Sequence, residues 1–249
     1  YAILYRTNSQ SKVLEDGLRK REINYKIFGG LSFYQRKEIK DVMAYLKLII
    51  NNDDNESLIR IINYPTRGIG PTTVERIRKT SEKKSQSMWK TLNSPLIEEI
   101  NVQKKTKSRL TDFVQMMKKI LQLIDNNVFE IIEEVITLTN IIQKLKEDPT
   151  DENINRINNI GELVNSMKMF AGRKKNNTLL DFINEVSLDE SKDDENTSKD
   201  YVSLMTIHQS KGLEFPYIYI VGLETGLFPS QKSIQESRLL EEERRLFYV

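Results

Sequence analysis

Apolar positions come in short runs near both ends of the chain, and between these runs they recur every three to four residues. Ala2-Ile3-Leu4-Tyr5 reads as a buried strand. A helix then runs from a cap at Asn8 or Ser9 to about Arg21, with Val13, Leu14 and Leu18 on one face. Tyr25-Lys26-Ile27-Phe28 reads as a second strand, ended by Gly29-Gly30. From Ile39 the period lengthens: Ile39, Val42, Met43, Tyr45, Leu46, Ile49 and Ile50 fall at helical spacing, with Glu38 early and Lys47 late as the helix macrodipole favours. Helices are expected over 56–62, 72–84, 102–123, 129–145, 153–170 and 179–186. Breaks stand at Pro65/Gly68/Gly70, Asn93-Ser94-Pro95, Asp125-Asn126-Asn127, Asp148-Pro149 and 172–177. Residues 188–200 are acidic without an apolar period and read as a connector. Strands return at 202–206 and 217–222, the second a buried-type run, and a charged helix closes the chain over 239–249. The order is sheet, helical block, sheet. It is met most simply by a helical domain inserted into one α/β domain, because two strands alone at either end would be marginal.

Composition narrows the classes. The 249 residues are 38% apolar and 30% charged, enough for a packed core. Mean hydropathy is −0.51, and the apolar-rich stretch 120–142 is interrupted by Asp125, Glu130, Glu133 and Glu134, so no membrane span is expected. With no cysteine and one histidine, disulfides, thiolate metal sites and His-rich metal sites are excluded, and a reducing compartment fits. The chain opens at Tyr1 inside a strand-like run and closes at Val249 inside a helix-like one, so it reads as a piece of a longer protein. Net charge is only +2, but residues 60–119 hold 14 Lys/Arg against 5 Asp/Glu, and residues 186–200 hold 2 against 6. The first imbalance is either a footprint for a polyanion or a solvated helical surface.

The densest chemistry lies in Val202-Ser203-Leu204-Met205-Thr206-Ile207-His208-Gln209-Ser210-Lys211-Gly212-Leu213-Glu214-Phe215-Pro216, a strand running into a polar loop. Parallel sheets present sites at such strand ends. This run resembles motif V of the UvrD/Rep/PcrA-type DNA helicases. Ala2 to Ser11 resembles motif IV, Gly29 to Asp41 resembles motif IVa, and Glu241-Glu242-Glu243-Arg244-Arg245-Leu246-Phe247-Tyr248-Val249 resembles the first half of motif VI. Four matches in order cover the whole chain.

The resemblance implies a RecA-like parallel-sheet motor domain of the P-loop NTPase type, called 2A, interrupted by a mostly helical insertion, 2B. Residues 1–28 and 199–249 would be most of 2A, and 29–198 would be 2B. Arg6 and Asn8 would touch single-stranded DNA, the bland alternative for Arg6 being an anchor for a helix cap. Thr206 and His208 would contact the DNA backbone and couple it to the nucleotide cleft. Gly212 lets the backbone approach a ligand, Glu214 would accept from the ATP ribose, and Lys211 would either reach phosphate or cap its loop. Pro65-Thr66-Arg67-Gly68-Ile69-Gly70-Pro71-Thr72-Thr73 makes a tight turn at a helix start, with backbone N–H groups suited to a phosphate. It resembles the Gly-Ile-Gly hairpin that holds duplex DNA, which brings Arg67, Gly68, Ile69, Gly70, Thr72 and Thr73 into the expected interface, backed by the basic helix of Arg76, Arg78, Lys79, Lys83 and Lys84. Without the resemblance it would read equally as a plain helix–helix turn. Arg36, Glu38, Lys40 and Asp41 are expected to form one salt-bridge network joining the two domains, and Arg244 and Arg245 to pair with Glu241 or Glu242. Ser32 and Ser230 depart from the family pattern.

No Gly-x-x-x-x-Gly-Lys-Ser/Thr run is present, and the motif VI match stops before the family's catalytic arginine. These residues alone are therefore expected to lack ATPase activity, most ATP and Mg²⁺ ligands lying in a separate 1A domain. The intact protein is expected to be a bacterial, cytoplasmic, ATP-dependent 3′–5′ helicase acting in DNA repair or replication. Its partners would be single strands, single/double-strand junctions and repair proteins, with the piece itself monomeric. The alternatives are a helicase–nuclease subunit of the AddA/RecB kind, against which the compact insertion argues, and a non-enzymatic DNA- or protein-binding module.

Overall fold

A computed structural model describes residues 1–173, 177–194 and 200–248, without the side chains of 188–194 and Lys232. Along the chain come β1 (Ala2–Tyr5), α1 (Ser11–Arg19), β2 (Tyr25–Ile27), α2 (Lys37–Ile50), α3 (Asn55–Ile61), α4 (Pro71–Lys83), α5 (Met88–Leu92), α6 (Lys104–Leu121), α7 (Val128–Thr139), α8 (Ile141–Lys146), α9 (Asp151–Arg173), α10 (Leu179–Asp194), β3 (Val202–Thr206), β4 (Ile218–Ile220), α11 (Gln231–Ile234) and α12 (Ser237–Phe247). They fall into two compact units, residues 1–36 with 188–249 and residues 37–187. The class is the expected one, a parallel sheet whose strands come before and after a helical block in the chain.

In the first unit the strand order is β2-β3-β1-β4, all parallel, with Leu4 opposite both Met205 and Ile220. Side-chain alternation explains why both faces are covered. Ala2, Leu4, Met205 and Ile207 point to one side with Phe228 and Leu246, while Tyr5, Tyr25 and Leu204 point to the other with Leu14 and Leu18 of α1. Two details differ from the expected pattern. Val13 is 68% exposed, and α1 instead turns Ser11, Lys12 and Glu15 inward. The edge strand β4 is not buried, with Ile218 and Tyr219 about half exposed because β1 pairs with only one of its sides.

The inward polar face of α1 has a definite occupant. Glu15 accepts from Ser11 Oγ (2.5 Å) and from the Phe33 N–H (3.3 Å), and Arg36 Nη2 donates to Ser11 Oγ (2.6 Å). Lys12 sits over the Tyr34 ring and pairs with Asp16. Burial pushes the Glu15 carboxyl above its usual range, against these hydrogen bonds and the Arg36 and Lys12 charges. Residues 29–36 thus pack on the sheet-bearing unit, and the division by contacts falls after Arg36. It falls again before Leu188, and the seam drawn from sequence at 198/199 lies outside the described residues.

The second unit is built around α2, whose Ile39, Val42, Met43, Tyr45, Leu46 and Ile49 are buried as their spacing predicts. Expected and observed helices differ at three places. The helix drawn over 129–145 is broken at Asn140, which adopts φ +60° and ends α7 in the left-handed conformation. The five-residue α5, capped by Ser87 Oγ accepting from the Lys90 N–H (3.2 Å), is too short to show a period. Helix α10 continues through Asp194 where a connector was expected to begin at 188. The rest of that connector, residues 195–199, and residues 174–176 of the break at 172–177 lie outside the described residues.

Of the residues expected to form one network, Arg36 belongs to the first unit and Glu38, Lys40 and Asp41 to the second. Arg36 bonds within the first unit. Asp41 pairs with Arg60 (2.7 Å) and Lys37 (3.3 Å), and buried Glu38 accepts from Asn159 Nδ2 (2.5 Å), all within the second. Lys40 has no ion-pair partner among the described residues.

Candidate functional site

The carboxyl ends of β1 and β3 finish in the same device. Thr7 and Thr206 each start a short 3₁₀ turn, closed three residues later by Gln10 and Gln209 in a reciprocal capping box. Gln10 Oε1 accepts from the Arg6 and Thr7 N–H groups (both 3.0 Å), and Gln209 Oε1 accepts from the Thr206 N–H (2.9 Å). The other end of each amide reaches the next strand. Gln209 Nε2 donates to the Gly29 carbonyl beyond β2 (2.6 Å), and Gln10 Nε2 lies against Gly222 beyond β4. The left-handed backbone of Gly29 (φ +65°) and Gly222 (φ +71°) favours glycine, and a Cβ on either would push aside the end of its glutamine. The β3 turn is thus bonded to the end of β2, and the β1 turn packs on the end of β4. Thr-x-x-Gln at 7–10 and again at 206–209 is the local sequence signal of this device.

On this edge Arg6, His208, Lys211, Glu242, Glu243, Arg245 and Leu246 line a cleft of about 290 Å³. Arg6 is held by a two-point ion pair to Glu243 of α12, Nε to Oε2 at 2.9 Å and Nη2 to Oε1 at 2.8 Å. Glu243 is 6% exposed and also accepts from Ser233 Oγ (3.1 Å). Burial pushes its carboxyl up, but the bonds from Arg6 and Ser233 and the nearby positive charge outweigh it and hold Glu243 below the usual carboxylate range. The partial burial of His208, reinforced by the Arg6 charge and opposed by Glu243, holds the imidazole below its usual value, so it is uncharged at neutral pH. The cleft therefore presents the cation of Lys211 beside a neutral imidazole and two arginines already balanced by carboxylates, Arg6 by Glu243 and Arg245 by Glu242.

The Glu243 pair has a pH signature. Because its pKa is depressed in the fold, the unfolded chain takes up the proton first as pH falls. The stabilisation is complete above the unfolded value of about 4.3 and is lost as pH drops through the lower folded value. Glu243→Gln is expected to cost about 1–2 kcal/mol at pH 7 and to flatten the stability profile below pH ~4. Urea unfolding from pH 3 to 7 reads both, and a parallel acid limb in the variant would contradict the assignment.

Other residues of the expected site lie apart from this cleft. Asn8 is exposed beside Gly30. Thr206 is 8% exposed and capped into its turn. Gly212 (φ +80°) has open space where a Cβ would stand, and Glu214 is exposed on the loop that follows. Arg244 and Arg245 pair with Glu241 (2.9 Å) and Glu242 (2.8 Å) as expected.

In the helical unit the 67–73 turn is strongly prepared. Arg67 points inward: Nη1 donates to the carbonyls of Ile61 (2.9 Å) and Tyr64 (2.8 Å), Nη2 to Tyr45 Oη (2.7 Å) and Met116 Sδ (3.6 Å), and the guanidinium covers the Phe113 ring. Ile69 is 1% exposed and anchors the turn in the core. Asn63 Oδ1 accepts from the Arg67 (2.9 Å) and Ile69 (3.0 Å) N–H groups, and the Gly70 carbonyl accepts from those of Thr73 (2.9 Å) and Val74 (3.2 Å). The N–H groups of Gly68, Gly70 and Thr72 have no partner among the described residues. They are the groups left to face a ligand, at the start of the 13-residue α4. The basic helix behind them is largely neutralised. Arg78 is bracketed by Glu75 (2.8 Å) and Glu82 (2.7 Å), and Lys84 pairs with Glu99 (3.2 Å).

Comparison with known proteins is consistent across the chain. It is 39% identical over its full length to an ATP-dependent DNA helicase PcrA of Bacillus subtilis and 37% identical to a DNA helicase II of Escherichia coli. A PcrA of Leuconostoc citreum is 36% identical, again over the whole chain. The chain spans about a third of the length of these relatives, 34%, 35% and 34% in turn. The UvrD-like helicase C-terminal domain matches residues 1–249, and the chain belongs to that family.

Proposed function

We propose that this chain is the second motor domain and its inserted helical domain, 2A and 2B, of an ATP-dependent 3′–5′ DNA helicase that moves on single strands and opens duplex in repair or replication, in a bacterial cytoplasm. The observation that carries the reading is the cleft at the strand ends, where Arg6 comes together with His208 and Lys211 from some two hundred residues away in sequence. Cationic and neutral donors without a nucleophile–base pair suit binding of an anionic backbone and transmission of movement rather than bond cleavage.

In this reading Arg6, Asn8, Thr206 and His208 serve the single strand. Lys211, Gly212 and Glu214 serve ATP, whose phosphates and Mg²⁺ are held chiefly by residues outside this chain, since it has no P-loop sequence. Bound Mg·ATP would supply the free energy of hydrolysis. The chain's own part is to hold the ribose, to keep His208 neutral as a hydrogen-bond partner, and to hold Arg6 oriented by Glu243. The turn at 67–73 holds duplex DNA through the open amides of Gly68, Gly70 and Thr72, with Thr73 behind them. Arg67 and Ile69 serve that contact by fixing the turn.

Two measurements test this. In the full-length protein His208→Ala is expected to lower DNA-stimulated ATPase roughly tenfold, about 1.4 kcal/mol of coupling, with DNA-independent ATPase kept. Unchanged stimulation and unwinding would reject the role. Fluorescence anisotropy with a 3′-tailed duplex, a blunt duplex and a single strand across a salt series should show tighter binding to the duplex-containing forms, weakening as salt rises. No preference for duplex would reject the role of the turn.

A further inference from the structure

Six of the 14 cations between residues 60 and 119 are balanced locally. Arg60, Arg78, Lys79, Lys84, Lys90 and Lys107 each have a carboxylate within 4.0 Å. Arg109 of α6 is different. No carboxylate lies within ion-pair distance of it among the described residues, and its one hydrogen bond there is from Nη1 to the carbonyl of Gly68 at 2.9 Å. Gly68 has φ +70°, and a Cβ on it would collide with the Arg109 guanidinium. The flat group therefore lies directly on the turn, in a place that only glycine leaves open. Met116, two helical turns further along the same face of α6, also reaches the turn, where its Sδ accepts from Arg67. Helix α6 thus runs beside the turn, with its charged end at Gly68.

Arg109 Nε and Nη2 are left without partners, next to a turn whose Gly68, Gly70 and Thr72 amides are also open. The collection is donors only. Its natural complement is an acceptor-only anion, and a planar guanidinium suits the oxygens of a phosphodiester. We propose that Arg109 has two roles in the duplex contact: it positions the turn through Gly68 and takes a DNA phosphate with its remaining N–H groups. The proposal rests on the reading of 67–73 as the duplex-holding element. Lys105, four residues earlier on the same face and exposed, adds charge at longer range.

The experiment uses the full-length protein and anisotropy with a 3′-tailed duplex and a matching single strand, from low to moderate salt. Arg109→Ala is expected to weaken duplex binding roughly tenfold and to make the slope of log K against log salt shallower by about one. Single-strand affinity should not change. Arg109→Lys should keep the slope while recovering only part of the affinity, because the charge returns without the fork. A weaker Arg109→Ala with an unaltered slope would overturn the phosphate contact, and wild-type affinity and slope would overturn both roles. Gly70→Asp, measured alongside, separates the levels: if it loses duplex binding while Arg109→Ala does not, only the Arg109 proposal falls. If neither changes duplex binding, the duplex-holding reading falls with it. Circular dichroism melting confirms that each variant is folded.

Discussion

Gly70→Asp is expected to leave the protein folded and to remove its grip on duplex DNA. Gly70 is the N-cap of α4, with extended φ −79° and ψ 170°, and a Cβ there meets nothing within 4 Å. Aspartate is among the best N-cap residues, so the helix should be as stable as before or better by a few tenths of a kcal/mol. The same carboxylate then occupies the donor surface formed by the open amides, where a like charge opposes a phosphate by about 2 kcal/mol or more, roughly thirtyfold in affinity. Single-strand binding should be untouched. Gly68→Ala makes the contrast: with φ +70° and Arg109 lying against the Cβ position, it should lose stability and duplex binding together. An aspartate variant with wild-type duplex affinity would remove the turn from the interface.

The largest stability effect is expected at Arg67. Removing its guanidinium strips donors from the carbonyls of Ile61 and Tyr64 and from Tyr45 Oη, which itself donates to the Tyr64 carbonyl. Burial already pushes the Tyr45 hydroxyl up to about 12, so ionisation offers no escape for the stranded group. With three poorly solvated acceptors losing a charged donor, Arg67→Ala should cost about 3–5 kcal/mol. That is a fall in melting temperature of roughly 10 °C. Arg67→Lys should restore less than half, since one ammonium cannot reach points arranged for a fork. Thermal melts decide it, and a loss below about 1 kcal/mol would mean that the turn is held by Asn63 and Ile69 without it.

This result bears on what a sequence can say. Arg67 stands in a glycine-flanked turn within a basic segment, which suggests a phosphate ligand. Its inward direction depends on carbonyls at 61 and 64 and on a hydroxyl at 45, brought together only by folding. The same holds for Glu243. Its three neighbours Glu242, Arg244 and Arg245 do pair locally along α12 with Glu241 as a fourth member, but Glu243 faces Arg6 across the unit at a separation no period reveals. The parallel strands and the long helices were legible because burial imposes a period on them. The five-residue α5 and the break at Asn140 were not, because one is shorter than two turns and the other depends on a single left-handed residue. The Thr-x-x-Gln pairs were on the page as a local signal, yet their reach to Gly29 and Gly222 belongs to the sheet.

Those two glutamines have a mechanical consequence. Strand ends are ordinarily the softest part of a sheet, because loops carry them. Here a hydrogen bond from Gln209 ties the β3 turn to β2, and the Gln10 amide of the β1 turn packs on the left-handed glycine after β4. A displacement at the end of β3 is passed to β2, and one at the end of β1 meets β4, so the carboxyl edge is stiffer than the loops mounted on it.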